Sequence, residues 1–306
     1  MTRMKRRYSA FLLSGLIGSL TACKVSDDAI AASQQMTSTA NALNAYYSAL
    51  DAAVGDTISL YELDGATSGI PFGDSDRKLP QAVRAEIEKR KEMADSLAKL
   101  ASSMSTLSNS KVSSDVETSA TQLGNELIAV QALPGGSPVP NALGKAGDFL
   151  LQIVQQHDEK KAARGMDDTL KAVGDLFEKE KTTYDSIART HDREASQVAE
   201  DLIKSNAVDP SPMLTPALKP FGLTLLPPNS ELQATLKALA LTRLRRATEG
   251  ATQKEEAAST AMLACLREMS SRVHLVATEK PMPLRGNPFS LKLVEDWAQS
   301  WSASLI

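Results

Sequence analysis

Apolar residues recur three and four apart along most of the chain, a spacing that predicts one long helix after another. From about Asp28 to Tyr61 the inward positions are Met36, Ala40, Leu43, Tyr47, Leu50, Val54 and Ile58, and the first glycine is Gly55. Gly65, Gly69, Pro71 and Gly73 then break the pattern and predict a loop to about Lys78. Pro80 suits a first helical turn. It opens a second stripe of Val83, Ile87, Ala94, Leu97, Ala101, Met104 and Leu107, running to near Ser108. A third helix is expected from about Ser113, with Val116, Leu123, Leu127 and Val130 inward, ending before Pro134-Gly135-Gly136. A fourth follows Pro138 and Pro140 with Leu143, Leu150 and Val154, and Gly165 is its weak point.

The clearest pattern runs from Met166 to about Ser205: Met166, Leu170, Val173, Phe177, Tyr184, Ile187, His191, Ala195, Val198 and Leu202. This is a heptad seam, and as a helix it would be about 60 Å long. A stripe that narrow suits antiparallel packing of long helices better than a round core. After Asn229 or Ser230 another long helix is expected, with Leu232, Leu236, Leu239, Met262, Leu266, Met269 and Val273 inward. Its polar middle, Thr242 to Ser259 with Gly250, predicts exposure or a kink there. Beyond Pro281 and Pro283, residues 290–305 read as an amphipathic helix capped by Ser290, with Leu291, Val294, Trp297, Trp301 and Leu305 on one stripe. The predicted fold is all-α: an elongated antiparallel helical bundle of about six or seven helices with coiled-coil-like seams, spanning residues 30–306.

Residues 206–229 differ from their surroundings. Six prolines there are interleaved with Met213, Leu214, Leu218, Phe221, Leu223, Leu225 and Leu226. This is too apolar for a disordered linker, and a loop of that length within a bundle is usually functional. It predicts a loop packed on the bundle, with Met213, Leu218 and Phe221 as the candidate ligand or partner surface. Trp297 and Trp301, the only two tryptophans, lie one helical turn apart. Either they close the core or they form an exposed aromatic patch that binds a partner.

Composition adds little that contradicts helices: aromatic residues are 4% of the chain, whereas sheets favour aromatic and β-branched residues. The first 23 residues carry a different message. Arg3, Lys5, Arg6 and Arg7 precede an apolar run from Tyr8 to Leu20, the order of a secretory signal. At about 13 residues the run is too short to span a bilayer as a helix. It ends in Leu20-Thr21-Ala22-Cys23, which resembles the lipobox of bacterial lipoproteins, Leu-(Ala/Ser/Thr)-(Gly/Ala)-Cys. The resemblance implies removal of residues 1–22, acylation of Cys23, and a lipidated tether at 23–29. Each buried CH₂ of an acyl chain contributes about 0.8 kcal/mol, so two or more chains hold a protein at a membrane without a spanning helix. Lys24, rather than Asp, follows the cysteine, which by the same resemblance implies the outer membrane, facing the periplasm.

Without residues 1–22 the chain keeps 284 residues, with 30 basic and 37 acidic side chains and a formal charge of −7. That balance argues against a nucleic-acid surface. With Cys23 acylated, Cys265 has no partner within the chain, and its setting in Met-Leu-Ala-Cys-Leu reads as a small buried hydrophobe. The three histidines, His157, His191 and His274, complete no Glu-x-x-His or His-Glu-x-x-His motif, and no paired cysteines or Gly-x-Ser-x-Gly occur. Adjacent acids such as Asp167/Asp168 and Glu255/Glu256 read as solvated faces, since neighbours on a helix point apart. The basic cluster Arg243, Arg245 and Arg246 reads as a charged surface turn. No cofactor and no metal are expected. Two functions fit: a non-enzymatic interaction or scaffold protein held in the envelope by its N-terminal lipid, or a lipoprotein binding a hydrophobic or cell-wall ligand in an apolar cleft near 206–229.

Overall fold

Helix follows helix in the computed structural model, which describes residues 5–105, 114–156, 159–221, 230–278 and 288–303; side chains of the first helix are described from Ile30. The elements are α1 (Lys5–Ser68), α2 (Asp74–Ser105), α3 (Ser114–Ala129), α4 (Asn141–Gln156), α5 (Glu159–Lys204), α6 (Ser211–Leu218), α7 (Ser230–Ala277) and α8 (Pro288–Ala303). No strand occurs among the described residues, and the protein is an all-α helical bundle. The eighth helix is α6. It occupies the middle of the proline-rich segment where a continuous loop was expected, and a 3₁₀ turn (Lys219–Phe221) continues it. Pro210 and Pro212 stand at its start, where a missing N–H costs no intrahelical bond.

Local chemistry sets the ends of the long helices. α1 passes through the buried Gly65 and stops at Gly69, whose φ of +74° is the left-handed conformation that ends helices. α2 begins at Asp74, six residues before Pro80, because Asp76 and Gly73 cap each other. The Gly73 N–H donates to Asp76 Oδ2 at 2.9 Å, and the Asp76 N–H donates to the Gly73 carbonyl at 3.1 Å. Pro80 therefore lies inside α2 rather than in its first turn. α5 ends with Asn206 at φ +61°, the Ala207 N–H bonding the Leu202 carbonyl at 3.0 Å and the Asn206 N–H bonding that of Ile203 at 3.3 Å, a Schellman closure.

α5 and α7 pack antiparallel, and their exposed charges keep the register. Glu178 meets Arg267 at 2.5 Å, Arg189 approaches Glu256 at 3.9 Å, and Arg245 approaches Glu200 at 3.7 Å. These pairs recur every eleven residues on both helices, three turns each time, so the same faces stay opposed over about 33 Å. Each exposed pair contributes at most about 1 kcal/mol, so the cohesion lies in the apolar seam between them. That seam holds Met166, Leu170, Val173 and Phe177 on α5 and Met262, Leu266, Met269 and Val273 on α7, all buried. The buried Cys265 lies in the same core. α1 and α2 are also antiparallel: the Asn44 amide donates to the Lys91 carbonyl, and Arg84 grips Asp51 through two nitrogens at 2.8 and 3.1 Å. α3 and α4 form a hairpin against α2 and α5, and α8 lies on α1 and α7.

Where α1, α2 and α5 meet, the core is aromatic with one ion pair inside it. Tyr46, Tyr47, Phe177 and Tyr184 stack edge-on or tilted, with centroids 5.2–6.4 Å apart. Arg90 of α2 is 0% exposed and Glu180 of α5 is 1% exposed. Arg90 Nε and Nη2 donate to the two Glu180 oxygens at 2.8 and 2.5 Å. Its remaining N–H groups reach the carbonyls of Glu86 (2.7 Å) and Gln131 (2.8 Å), and the Tyr184 hydroxyl donates to Glu180. Burial lowers the affinity of Arg90 for its proton, but Tyr184 and Glu180 outweigh it, and the guanidinium stays charged.

Removing one half of such a pair leaves a buried charge alone. We expect Arg90→Met to lose about 3–5 kcal/mol of stability, read from urea unfolding. Arg90→Met combined with Glu180→Leu should recover most of it. A double variant as unstable as the single one would show that the pair itself supplies net stability.

Candidate functional site

The structure describes only some of the expected site residues. Trp297 is 6% exposed and belongs to the core, its ring 4.9 Å from that of Tyr46, and Trp301 is half-buried. Of the two alternatives for the tryptophans, Trp297 follows the docked one and not the exposed patch: α8 turns it inward against Tyr46. Met213 is half-buried on α6, while the side chains of Leu218 and Phe221 lie outside the described residues. The hollow beside this segment, of ≈ 290 Å³, is lined by residues 206–210 together with Gln233, Leu236 and Lys237, not by Met213. His157 lies outside the described residues; the exposed His274 bonds Asp167 at 2.8 Å. Leu20, Thr21, Ala22 and Cys23 fall on α1 before Ile30, where side chains are not described.

A larger cleft of ≈ 740 Å³ opens between α1, α5, α7 and α8. α1 lines it with Asp56, Ser59, Leu60 and Leu63, and α5 with His191, Asp192 and Ala195. α7 supplies Arg246, Ala247, Gly250, Ala251, Lys254 and Glu255, and α8 supplies Trp297, Ser300 and Trp301. The polar middle of α7 builds this wall: it runs as unbroken helix, and its small residues leave the space that larger ones would fill. Gly250 has open space where a Cβ would stand.

Glu255 forms the floor. It is 1% exposed, and neither carboxylate oxygen has a hydrogen-bond partner. The expectation that Glu255 and Glu256 are both solvated is corrected. They point apart, as adjacent helical residues must, but one direction is into the bundle. Position 255 is in heptad register with Met262 and Met269, hence inward. Two neighbours share its condition: the Tyr46 hydroxyl and Asp185 Oδ1 are buried without partners, although Asp185 Oδ2 takes a bond from Lys181 at 2.8 Å. Burial, then Asp185 and Asp192, push the Glu255 carboxyl up to about 8, with Arg189 opposing. Burial, with Asp185 and Glu255, also raises the Tyr46 phenol well above its usual value.

Of the other polar groups in the cleft, His191, Ser300 and Ser59 are engaged, while Asp56, Arg246 and Lys254 add charge to its wall. The His191 ring meets Trp301 edge-on at 4.5 Å, and its Nδ1 lies 3.3 Å from Asp192. Ser300 donates to the Trp297 carbonyl at 2.6 Å, and Ser59 to that of Gly55 at 3.5 Å. The lining thus offers a buried carboxyl without a partner, two indole rings, apolar side chains, and the charged Asp56, Asp192, Arg246 and Lys254. That chemistry suits holding a molecule. No protein-family model matches the chain, and no curated protein or solved structure shows significant similarity to it.

Glu255 has a stability signature. Its carboxyl stands near 8 when folded against an ordinary value of 4.5. Its contribution is therefore fully present below about pH 4.5 and lost as pH rises through about 8. Glu255→Gln holds the neutral state throughout. We expect it to exceed the parent protein by about 1–3 kcal/mol at pH 9 in urea unfolding, the gap closing toward pH 4.5. A gap independent of pH would mean that Glu255 is not the titrating group.

Proposed function

We propose that the protein is a lipid-anchored, non-enzymatic binding protein of the bacterial envelope, acylated at Cys23 and held at the outer membrane facing the periplasm. The observation that carries this reading is the sequence Leu20-Thr21-Ala22-Cys23 behind a basic start and a short apolar run. Two features are consistent with it. Among the described residues no helix is long and apolar enough to cross a membrane, so attachment would rest on the lipid. α1 continues from Cys23 to Ser68, about 68 Å as straight helix, a length that can present a surface well away from the bilayer.

The scaffold reading gains a surface other than the tryptophans. Ile70 (74% exposed), Leu79 and Leu63 stand out around the α1–α2 turn, at the end of α1 remote from Cys23. The ligand-binding reading gains the α1/α5/α7/α8 cleft in place of the 206–229 segment. Both are compatible with one protein, since Ile70 and Leu79 lie outside the cleft lining, with which the turn shares Leu63.

The anchor is testable first. In a Gram-negative host, Cys23→Ser should abolish labelling by radioactive palmitate and shift the protein from the membrane fraction to the soluble one. Undiminished labelling and membrane recovery would remove Cys23 from the reading.

A further inference from the structure

We propose that the cleft between α1, α5, α7 and α8 binds an organic ammonium, its nitrogen on the Glu255 carboxylate and its apolar body against Trp297, Trp301 and the small residues of α7. This deepens the ligand-binding reading and does not depend on acylation.

The first support is an unmet electrostatic demand. A buried carboxyl with both oxygens unpartnered is costly, and native proteins rarely keep one without a role. Groups on α1, α5 and α7 make that demand one for positive charge. α5 brings Asp185 and Asp192 with one opposing cation, Arg189; α7 brings Glu256; α1 brings the neutral Tyr46 hydroxyl and Asp56. α8 presents Trp297, Ser300 and Trp301, which carry no charge. Arg246 and Lys254 are exposed on α7 and give Glu255 no hydrogen bond. Lys254 is held away by the geometry that separates adjacent helical residues.

The second support is shape and surface. Indole faces attract an ammonium most strongly when both are desolvated, and they also shelter the alkyl chain that carries it. The volume of ≈ 740 Å³ lies within the range of small-molecule sites. A metal ion is a poorer occupant, because no group of three or more His, Cys, Asp or Glu among the described residues is placed to hold one. A deeply buried, unpartnered carboxyl beside two indole rings matches one positive charge on an organic body. Ionising Glu255 inside the cleft is unfavourable until a cation arrives, so binding displaces the carboxyl proton to solvent.

Trp297 and Trp301 are the chain's only tryptophans and both line the cleft, so intrinsic fluorescence reports it directly. Titration of the full-length protein with hexylammonium chloride should produce a saturable change in emission. Affinity should rise at least tenfold from pH 6 to pH 9 as Glu255 ionises, with hexanoate and hexanol producing no such change. Glu255→Gln should weaken hexylammonium at least tenfold. Gly250→Leu, which enters open space, should do the same without lowering the thermal midpoint. Cys23→Ser should bind as the parent does, so a failed anchor and a failed site are told apart. No saturable change, equal binding of hexanoate, or unaltered affinity in both cleft variants would overturn the assignment.

Discussion

Arg90 carries its charge to the junction of α1, α2 and α5, and the packing there depends on that charge being answered from four directions. Glu180 takes it from α5, Glu86 from its own helix, Gln131 from the link after α3, and Tyr184 completes the carboxylate's hydrogen bonding. Desolvating two ions costs several kcal/mol apiece, and only a fully bonded arrangement offsets this. The arrangement therefore admits one rotation of α2 and α5 relative to each other. Rotating either helix by one residue would aim the guanidinium at apolar side chains. The aromatic rings around the pair supply the burial, and the ion pair supplies the register.

The same bundle holds a second buried ionisable group, Glu255, whose carboxyl is not answered. Tyr46 links the two places, touching Phe177 and Tyr184 on one side and Trp297 on the other. On the first side every polar group of Arg90 is used; on the second, Glu255, Asp185 and Tyr46 itself retain unpaired atoms beside an open cleft. The contrast separates structure from function within one core. A closed network fixes helix geometry, whereas an incomplete one next to open volume can be completed by a ligand. The small residues of α7 keep that volume, and the rigid stack of Tyr46 on Trp297 holds its far wall.

Much of this could be seen in the chain before folding. The apolar stripes of α2 and α5 each skip one heptad position, between Ile87 and Ala94 and between Phe177 and Tyr184. The skipped residues are Arg90 and Glu180, which find each other. Glu255 continues the stripe of Met262 and Met269, so it too was marked as inward by spacing alone. A charged residue in an apolar register is an interruption when the stripe is read for hydrophobicity, and a buried functional group when it is read for position. The tryptophans are the opposite case. Their spacing is equally compatible with docking and with exposure, and the face of Tyr46 made the choice. Pro80 misled because Asp76, four residues earlier, closed a cap with Gly73.

What the sequence by itself determined are the long helices, their approximate ends and the seams along them, because these depend on residues within a few turns of one another. The short α6 among the prolines was not legible that way. Which seam meets which depended on tertiary structure, because the energy of a buried charge is defined only by its partner across the bundle. The antiparallel register of α5 on α7, the inward turn of α8, the pairing of Arg90 with Glu180 and the isolation of Glu255 are all of that kind. The contacts that set them join residues between 45 and 251 positions apart, and no local rule of spacing reaches so far.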